Sequence, residues 1–253
     1  MALTTNQRAV LSELLGTFLF CFIGIAAVLA TFPPIESGGG LLGVALAHGL
    51  GIAIAVNCFW GHGGAHFNPA VTVELLTVGK IKLPLAIQYI AVQILAAAVA
   101  SLCCVAIFPE AVIDAGMLAI PRPGVFPGES QPWITPGGIL LAEFLLTFLL
   151  MTAIYGAAID PTGKPMNIAA FGIGLAVTAL ILAGGPITGA SMNPARSLGP
   201  ALVYSLFGGA RSSEAFALHW CYWVATIAGA IVAAQLYEMF LISRTESGKR
   251  EDG

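Results

Sequence analysis

Residues 64–70 have the sequence GAHFNPA, and residues 189–195 repeat the pattern as GASMNPA. The tripeptide Asn-Pro-Ala therefore occurs once in each half of the chain, and two copies at matching positions indicate an internal repeat. Asparagine is a favoured N-cap and proline the favoured first helical residue, so each copy predicts the start of a helix. The two motifs are Asn68, Pro69, Ala70 and Asn193, Pro194, Ala195.

The composition indicates a polytopic membrane protein. Charged residues make up 9% of the 253-residue chain and hydrophobic residues 58%, whereas about 25% of a soluble domain is charged. The first apolar run is too long for a signal-peptide core, so we expect the Met1 end to be retained. A net charge of -3 argues against a nucleic-acid partner. The five cysteines have no metal-site spacing, and no cofactor or metal is expected.

Six apolar segments are long enough to cross a bilayer as helices. Two shorter helical stretches, residues 69–78 and 194–204, begin at the motifs and can each cover half a span. Half-helices occur at membrane depth only where they are buried in protein or line a water-filled cavity. We therefore predict an all-α fold with six transmembrane helices and two re-entrant half-helices. The predicted spans are residues 9–31, 41–60, 83–108, 137–158, 167–185 and 217–241.

The distribution of basic residues orients these spans. Seven lysines and arginines fall on one side against three on the other, which predicts cytoplasmic termini in a multi-pass protein of the cell membrane. The seven are Arg8, Lys80, Lys82, Lys164, Arg244, Lys249 and Arg250, against Arg122, Arg196 and Arg211.

An odd number of spans in each repeat, about 9–108 and about 137–241, inverts the second repeat relative to the first. We expect residues 1–253 to form one channel domain in which the half-helices meet N-terminus to N-terminus at the midplane. Transport proteins often have this arrangement of inverted repeats. The connection 109–136 between the repeats has no clear pattern.

Glu13 and Glu143 occupy matching positions within predicted spans, in the segments SELLGTF and AEFLLTF. Carboxylates within a membrane usually mark function, which makes a proton or cation relay one interpretation. The alternative is structural, with each acid accepting hydrogen bonds from its re-entrant loop. We favour the structural interpretation because no third acid is present to complete a relay.

The two motif asparagines predict what can pass between them. If Asn68 and Asn193 cap their helices through the side-chain oxygens, their NH2 groups point into the lumen. A water molecule accepting from both donors cannot relay a proton, and the positive ends of both helices disfavour cations. The pattern predicts a pore for neutral polar solutes.

These motifs resemble those of the aquaporin, or major intrinsic protein, family along almost the whole chain. The resemblance implies a homotetramer with one pore per subunit. By offset from the motifs, it places a selectivity filter at His48, Ile181, Ala190 and Arg196. We also expect an extended ladder of pore carbonyls at Gly64, Ala65, His66, Gly189, Ala190 and Ser191. His48 has an alternative as a core histidine bonded to a backbone carbonyl, and we favour the filter.

The filter departs from two branches of the family. Strict water channels have Phe and His where this chain has His48 and Ile181, and glycerol facilitators have Trp, Gly and Phe around the same arginine. The set resembles that of plant tonoplast intrinsic proteins. Outside the filter, Ser197 and Ala201 replace residues typical of facilitators.

We therefore expect a passive channel for water, with ammonia, urea and hydrogen peroxide as further candidates. A glycerol facilitator is one alternative. A coupled secondary transporter is another and would need an ionisable site in the path, for which His48 and Arg196 are the candidates. A non-conducting junctional protein is a third, but small Ala190 and apolar Ile181 argue against a closed pore. An enzyme is excluded because the sequence has no nucleophile–base pair or metal cluster.

Overall fold

The computed structural model describes residues 2–37, 39–160, 168–207, 209 and 211–242. Within these ranges the chain is helical, without a β-strand. Six helices are long and apolar enough to cross a membrane. Four of the basic residues used for orientation, Lys164, Arg244, Lys249 and Arg250, lie outside the described residues.

The helices follow the predicted order, with one short helix that the sequence analysis missed. The missed helix is α5, in the long connection between the repeats. A π-helical turn, Tyr155–Ile159, continues the fourth long helix, α6. The bounds in the described residues are α1 Thr5–Leu29, α2 Gly40–Gly63, α3 Pro69–Thr77, α4 Leu83–Ile107, α5 Glu110–Gly116, α6 Pro136–Ile154, α7 Ala169–Thr188, α8 Pro194–Phe207 and α9 His219–Phe240.

Local signals explain several helix ends. The Thr4 side chain and Gln7 form a capping box that starts α1. Thr135 caps α6 and is followed by Pro136 at the first helical position. The helix α7 continues past Pro186 to Thr188, beyond the predicted end at residue 185.

The packing follows the inverted repeat. In the first repeat α1 packs against α2 and α4, and in the second repeat α6 packs against α7 and α9. The helices α2 and α7 pack against each other across the two repeats. Each half-helix packs against the last span of the other repeat, α3 on α9 and α8 on α4. The half-helices are therefore enclosed by protein, as non-spanning segments at membrane depth must be.

Glycine permits the close approach of α2 and α7. A Cβ atom at Gly49 would collide with Thr178 and with the Gly174 carbonyl, and one at Gly174 would collide with the Gly49 carbonyl. Small residues commonly allow such contacts between membrane helices. Gly51 and Gly172 do not share this role, since a Cβ atom at either would meet Ile23 or Ala157 at an ordinary distance.

The outer surface of the helices is apolar. Large side chains such as Leu50, Ile87, Leu141 and Leu175 are half exposed or more. A soluble monomer rarely carries so much contiguous exposed apolar surface. This surface suits contact with lipid or with other membrane helices.

Candidate functional site

Asn68 and Asn193 cap the half-helices α3 and α8. Asn68 Oδ1 accepts a hydrogen bond from the Ala70 N–H at 2.9 Å. Asn193 Oδ1 accepts from the N–H groups of Ala195 at 3.0 Å and Arg196 at 3.2 Å. Since the motif proline is the first residue of each helix, both helices start as N-cap and proline preferences dictate.

The same two side chains join the repeats. Asn68 Nδ2 donates to the Met192 carbonyl at 2.8 Å, and Asn193 Nδ2 donates to the Phe67 carbonyl at 2.9 Å. Each NH2 group has two hydrogens, so one hydrogen of each is used in this reciprocal pair. The second hydrogen remains for a molecule in the cavity that both asparagines border. This reciprocal pair was not predicted, since both NH2 groups were expected to point into the lumen.

The loops before the half-helices are not extended, and that expectation is wrong. Left-handed residues mixed with others can turn neighbouring N–H groups to one side of the chain, where they can bind an anion. The residues with positive φ are Gly64, Ala65 and Phe67 in the first loop and Gly189, Ala190 and Met192 in the second.

The predicted pore carbonyls remain without hydrogen-bond donors from the described part of the chain. Gly64, Ala65, His66 and Ser191 border an inner cavity, and Gly189 borders an outer vestibule. Buried carbonyl groups normally have a partner. These oxygens are therefore suited to accept hydrogen bonds from a polar molecule in the cavity.

Glu13 holds the first loop from behind. Its Oε1 accepts from the His66 N–H at 2.7 Å, and its Oε2 accepts from the Phe67 N–H at 2.7 Å and from Gln93 Nε2 at 2.8 Å. The side chain is fully buried. All three contacts are donors, so the geometry favours the structural interpretation over a relay.

Glu143 holds the second loop in the same way. Its Oε1 accepts from Thr188 Oγ1 at 2.6 Å and from the Ser191 N–H at 2.9 Å. Its Oε2 accepts from the Met192 N–H at 2.9 Å. The two acids therefore have equivalent positions and equivalent partners in the two repeats, as their matching sequence segments indicated.

The four residues selected by offset lie together where the inner cavity meets the vestibule. The inner cavity has a volume of about 200 Å³ and the vestibule about 1020 Å³. His48 and Ile181 border both spaces, Ala190 borders the inner cavity and Arg196 the vestibule. All four side chains are buried. The constriction is thus lined by the guanidinium of Arg196, the imidazole of His48 and the small or apolar side chains of Ala190 and Ile181.

The Arg196 guanidinium is held by backbone. Its Nη1 donates to the Ala119 carbonyl at 2.7 Å, and no ion pair to it occurs among the described residues. Ala119 ends a 3-10 turn, Met117–Ala119, in which all three residues have positive φ. This contact was not predicted, because no residue type in the turn signals the conformation.

His48 combines the two roles that the sequence left open. Its Nδ1 lies 2.8 Å from the Val44 carbonyl, one helical turn earlier on α2. This bond fixes the imidazole against its own helix. The ring still borders both spaces, so the histidine is bonded to backbone and also lines the constriction.

The rest of the inner cavity is mostly apolar, and its lining was not predicted. None of the five cysteines, all within the described residues, borders either space. Apart from His48 and Lys80, a polar molecule would therefore find its hydrogen-bond partners mainly at the loops. Residues of the apolar wall include Phe20, Val56, Val71, Leu150, Ile154 and Val177.

Lys80 borders the end of the inner cavity and belongs to a cluster with two carboxyl groups. Lys80 Nζ lies 2.9 Å from Glu238 Oε1. Tyr155 Oη lies 3.1 Å from that oxygen and 2.9 Å from Glu74 Oε1. One phenol hydrogen cannot be donated to both acids. If Glu74 is protonated, its carboxyl hydrogen is donated to Tyr155 Oη and the Tyr155 hydroxyl hydrogen is donated to Glu238. Each hydrogen then has one acceptor.

Glu74 is fully buried on α3, outside the six spans, and its Oε2 has no partner among the described residues. Burial above all, with the nearby Glu238 charge, raises the pKa of Glu74 to about 8 from 4.5. The pKa of Glu74 is higher in the folded state than in the unfolded state. Its contribution to the free energy of unfolding is therefore fully present below about pH 4.5 and is lost as pH rises through about 8.

We expect Glu74→Gln to remove part of this pH dependence. The melting temperature of the unmodified protein in detergent should fall between pH 6 and pH 9, and the melting temperature of the variant should fall by less. Glu129→Gln, at an exposed position of the outer connection, is the matched control and should follow the unmodified protein. A constant difference between Glu74→Gln and the unmodified protein at every pH would contradict a protonated Glu74.

Comparison with known proteins identifies relatives of the whole chain. The family model described as "Major intrinsic protein" matches residues 1–237. Aquaporin TIP4-4 of Zea mays is 39% identical over 91% of this chain and 85% of its own length. Probable aquaporin TIP3-2 of Arabidopsis thaliana is 38% identical over 93% of this chain and 84% of its own length.

The fold also matches a solved structure. The X-ray structure of the aquaglyceroporin from Plasmodium falciparum superposes with a TM-score of 0.79, over 93% of this chain and 96% of that one. The two sequences are 24% identical, so this likeness concerns the fold alone.

Proposed function

Because the chain belongs to the major intrinsic protein family, whose members are membrane channels and not enzymes, we propose that it is a passive channel for water. We further propose that ammonia, urea and hydrogen peroxide pass and that protons and ions do not. The observation that carries the proposal is that Asn68 and Asn193 each cap a half-helix, each donate to the backbone carbonyl just before the other asparagine, and border one cavity.

Water passage is supported by the partners that the cavity wall offers. The spare hydrogens of the two asparagine NH2 groups and the unpaired carbonyls of the loops replace hydrogen bonds that water loses on entry. The opposite wall is apolar and holds water weakly. Binding that is favourable for entry but weak enough for exit is what conduction requires.

Exclusion of cations and protons is supported by charge and geometry. The N-termini of α3 and α8 each carry partial positive charge toward the cavity. Arg196 adds a full positive charge at the constriction, without an acidic partner in the described residues. A water molecule that accepts from both asparagines has its oxygen occupied and cannot receive a proton from its neighbour.

A coupled transporter is less well supported. It would need an ionisable group in the path that changes its proton or ion occupancy. The ionisable side chains bordering the inner cavity are His48, His66 and Lys80. Each already has a partner, namely the Val44 carbonyl, Thr72 Oγ1 at 3.1 Å and Glu238.

The proposed homotetramer comes from the family resemblance, whereas the proposed location and orientation come from the distribution of basic residues. We propose a homotetramer with a pore in each subunit, a single channel domain, cytoplasmic termini and residence in the cell membrane. The apolar outer faces of the helices are available both to lipid and to neighbouring subunits.

Proteoliposomes test the proposed solutes directly. We expect fast shrinkage in stopped-flow mixing with an impermeant osmolyte, and fast uptake of urea and ammonia, with glycerol uptake near that of empty vesicles. Rapid glycerol uptake would favour the facilitator alternative. Water permeability equal to that of empty vesicles would refute the channel.

Replacing Ile181 with histidine should narrow the solute range. A second polar side chain at the constriction adds a hydrogen-bonding wall, and we expect ammonia or urea flux to fall about tenfold while water flux persists. A change of one side chain in a binding pocket is typically worth about 1–3 kcal/mol. Ile181→Leu, which keeps the volume and adds no polar group, is the control. An unchanged ratio of ammonia to water permeability would remove Ile181 from the filter.

A further inference from the structure

Gly24 on α1 lies against the imidazole of His48. A Cβ atom placed at Gly24 would be 2.5 Å from His48 Nε2, 2.7 Å from Cδ2 and 3.0 Å from Cε1. Atoms in contact normally lie about 3.5–4.0 Å apart. The tip of the ring therefore occupies the space that any side chain at position 24 would need.

The other contacts of the ring leave one direction of escape. Its Nδ1 is held by the Val44 carbonyl at 2.8 Å. The Phe20 ring, one turn before Gly24, meets it edge-on with centroids 5.9 Å apart. The remaining side of His48 borders the inner cavity and the vestibule. A side chain at position 24 would have to push the ring by about 1 Å toward the path.

We infer that Gly24 is a specificity-determining residue: by leaving room for the retracted His48 ring, it sets the width of the constriction. This inference rests on the proposed function, since it assigns a width to a pore. Gly24 does not itself contact a permeating molecule and acts only through the position of His48.

The test is the water permeability of Gly24→Ala proteoliposomes. We expect it to fall by about tenfold, and urea flux to fall further, since one added carbon in a pocket changes discrimination by about 10–200-fold. Gly51→Ala is the matched control in the neighbouring span, because a Cβ there meets Ile23 at an ordinary 3.5 Å. It should conduct water like the unmodified protein.

A second background shows whether the imidazole transmits the effect. In His48→Ala the ring is absent, so adding Gly24→Ala should leave water flux unchanged. If Gly24→Ala alone fails to fold but the double variant folds, this difference also supports the inference, because removing the ring then makes room for the side chain at position 24. Equal losses in both backgrounds, or a Gly24→Ala channel as permeable as the unmodified one, would overturn the inference. Absence of water flux in the unmodified protein would instead refute the proposed function.

Discussion

Glutamine at position 143 should destabilise the protein strongly. Glu143 accepts three hydrogen bonds and donates none. A glutamine can keep its oxygen toward Thr188 and Ser191, but its NH2 group then faces the Met192 N–H. A buried donor without a partner costs about 1–3 kcal/mol, and bonds to a charged acceptor are weakened as well. We expect a total loss of about 3–5 kcal/mol.

The measurement is thermal unfolding of the purified protein in detergent. A loss of that size should lower the melting temperature by about 10 °C in a chain of this length. Glu13→Gln should behave alike, because Glu13 has equivalent partners in the first loop. Exposed Glu129→Gln should stay within about 0.5 kcal/mol. A Glu143→Gln protein as stable as the original would mean that the carboxyl is protonated in the native state, against our account of the loop.

Cysteine at position 190 should make the channel sensitive to mercury. Ala190 borders the inner cavity beside His48 and Ile181. A thiol there is placed to bind a soft metal ion, which would fill a constriction meant for one small molecule. In Ala190→Cys we expect nearly complete loss of water flux with mercuric chloride and recovery with an excess of a small thiol.

The unmodified protein should respond weakly to the same treatment. Cys21, Cys104 and Cys221 are buried, and exposed Cys58 does not border either space. Ala190→Cys combined with Cys58→Ser should therefore be blocked as fully as Ala190→Cys alone. Strong block of the unmodified protein, relieved by Cys58→Ser or Cys21→Ser, would contradict the placement of Ala190 at the constriction.

Much of the fold follows from periodic and capping signals in the sequence. The six spans and both half-helix starts are predicted, since long apolar runs and an Asn-Pro pair each have a local physical cause. Helix ends are less certain. The predicted fifth span ends at residue 185, and Gly184, Gly185 and Pro186 each disfavour a helix, yet α7 continues to Thr188. Packing against α6 and α2 outweighs that local preference.

Residues of the site can be chosen from the sequence where they match between the two repeats or lie at a fixed spacing from the Asn-Pro-Ala motifs. Glu13 and Glu143 each hold one re-entrant loop, the two asparagines border one cavity, and the four residues chosen by offset lie where that cavity meets the vestibule. That these four form the selectivity filter stays a prediction. The Ala119 carbonyl that holds Arg196 is not predictable, since its turn needs three left-handed residues and contains no glycine. The pairing of Glu74 with Tyr155 and Glu238 joins three distant segments. Neither contact has a local signal in the sequence.

We propose that Asn68 and Asn193 let water through while stopping protons, and one experiment measures both fluxes in the same vesicles. Proteoliposomes containing a trapped pH indicator are subjected first to an osmotic step and then to a pH step, at several temperatures. We expect fast water flux with weak temperature dependence and proton flux equal to that of empty vesicles. Proton flux that rises in proportion to the amount of protein, or water flux no faster than in empty vesicles, would contradict it.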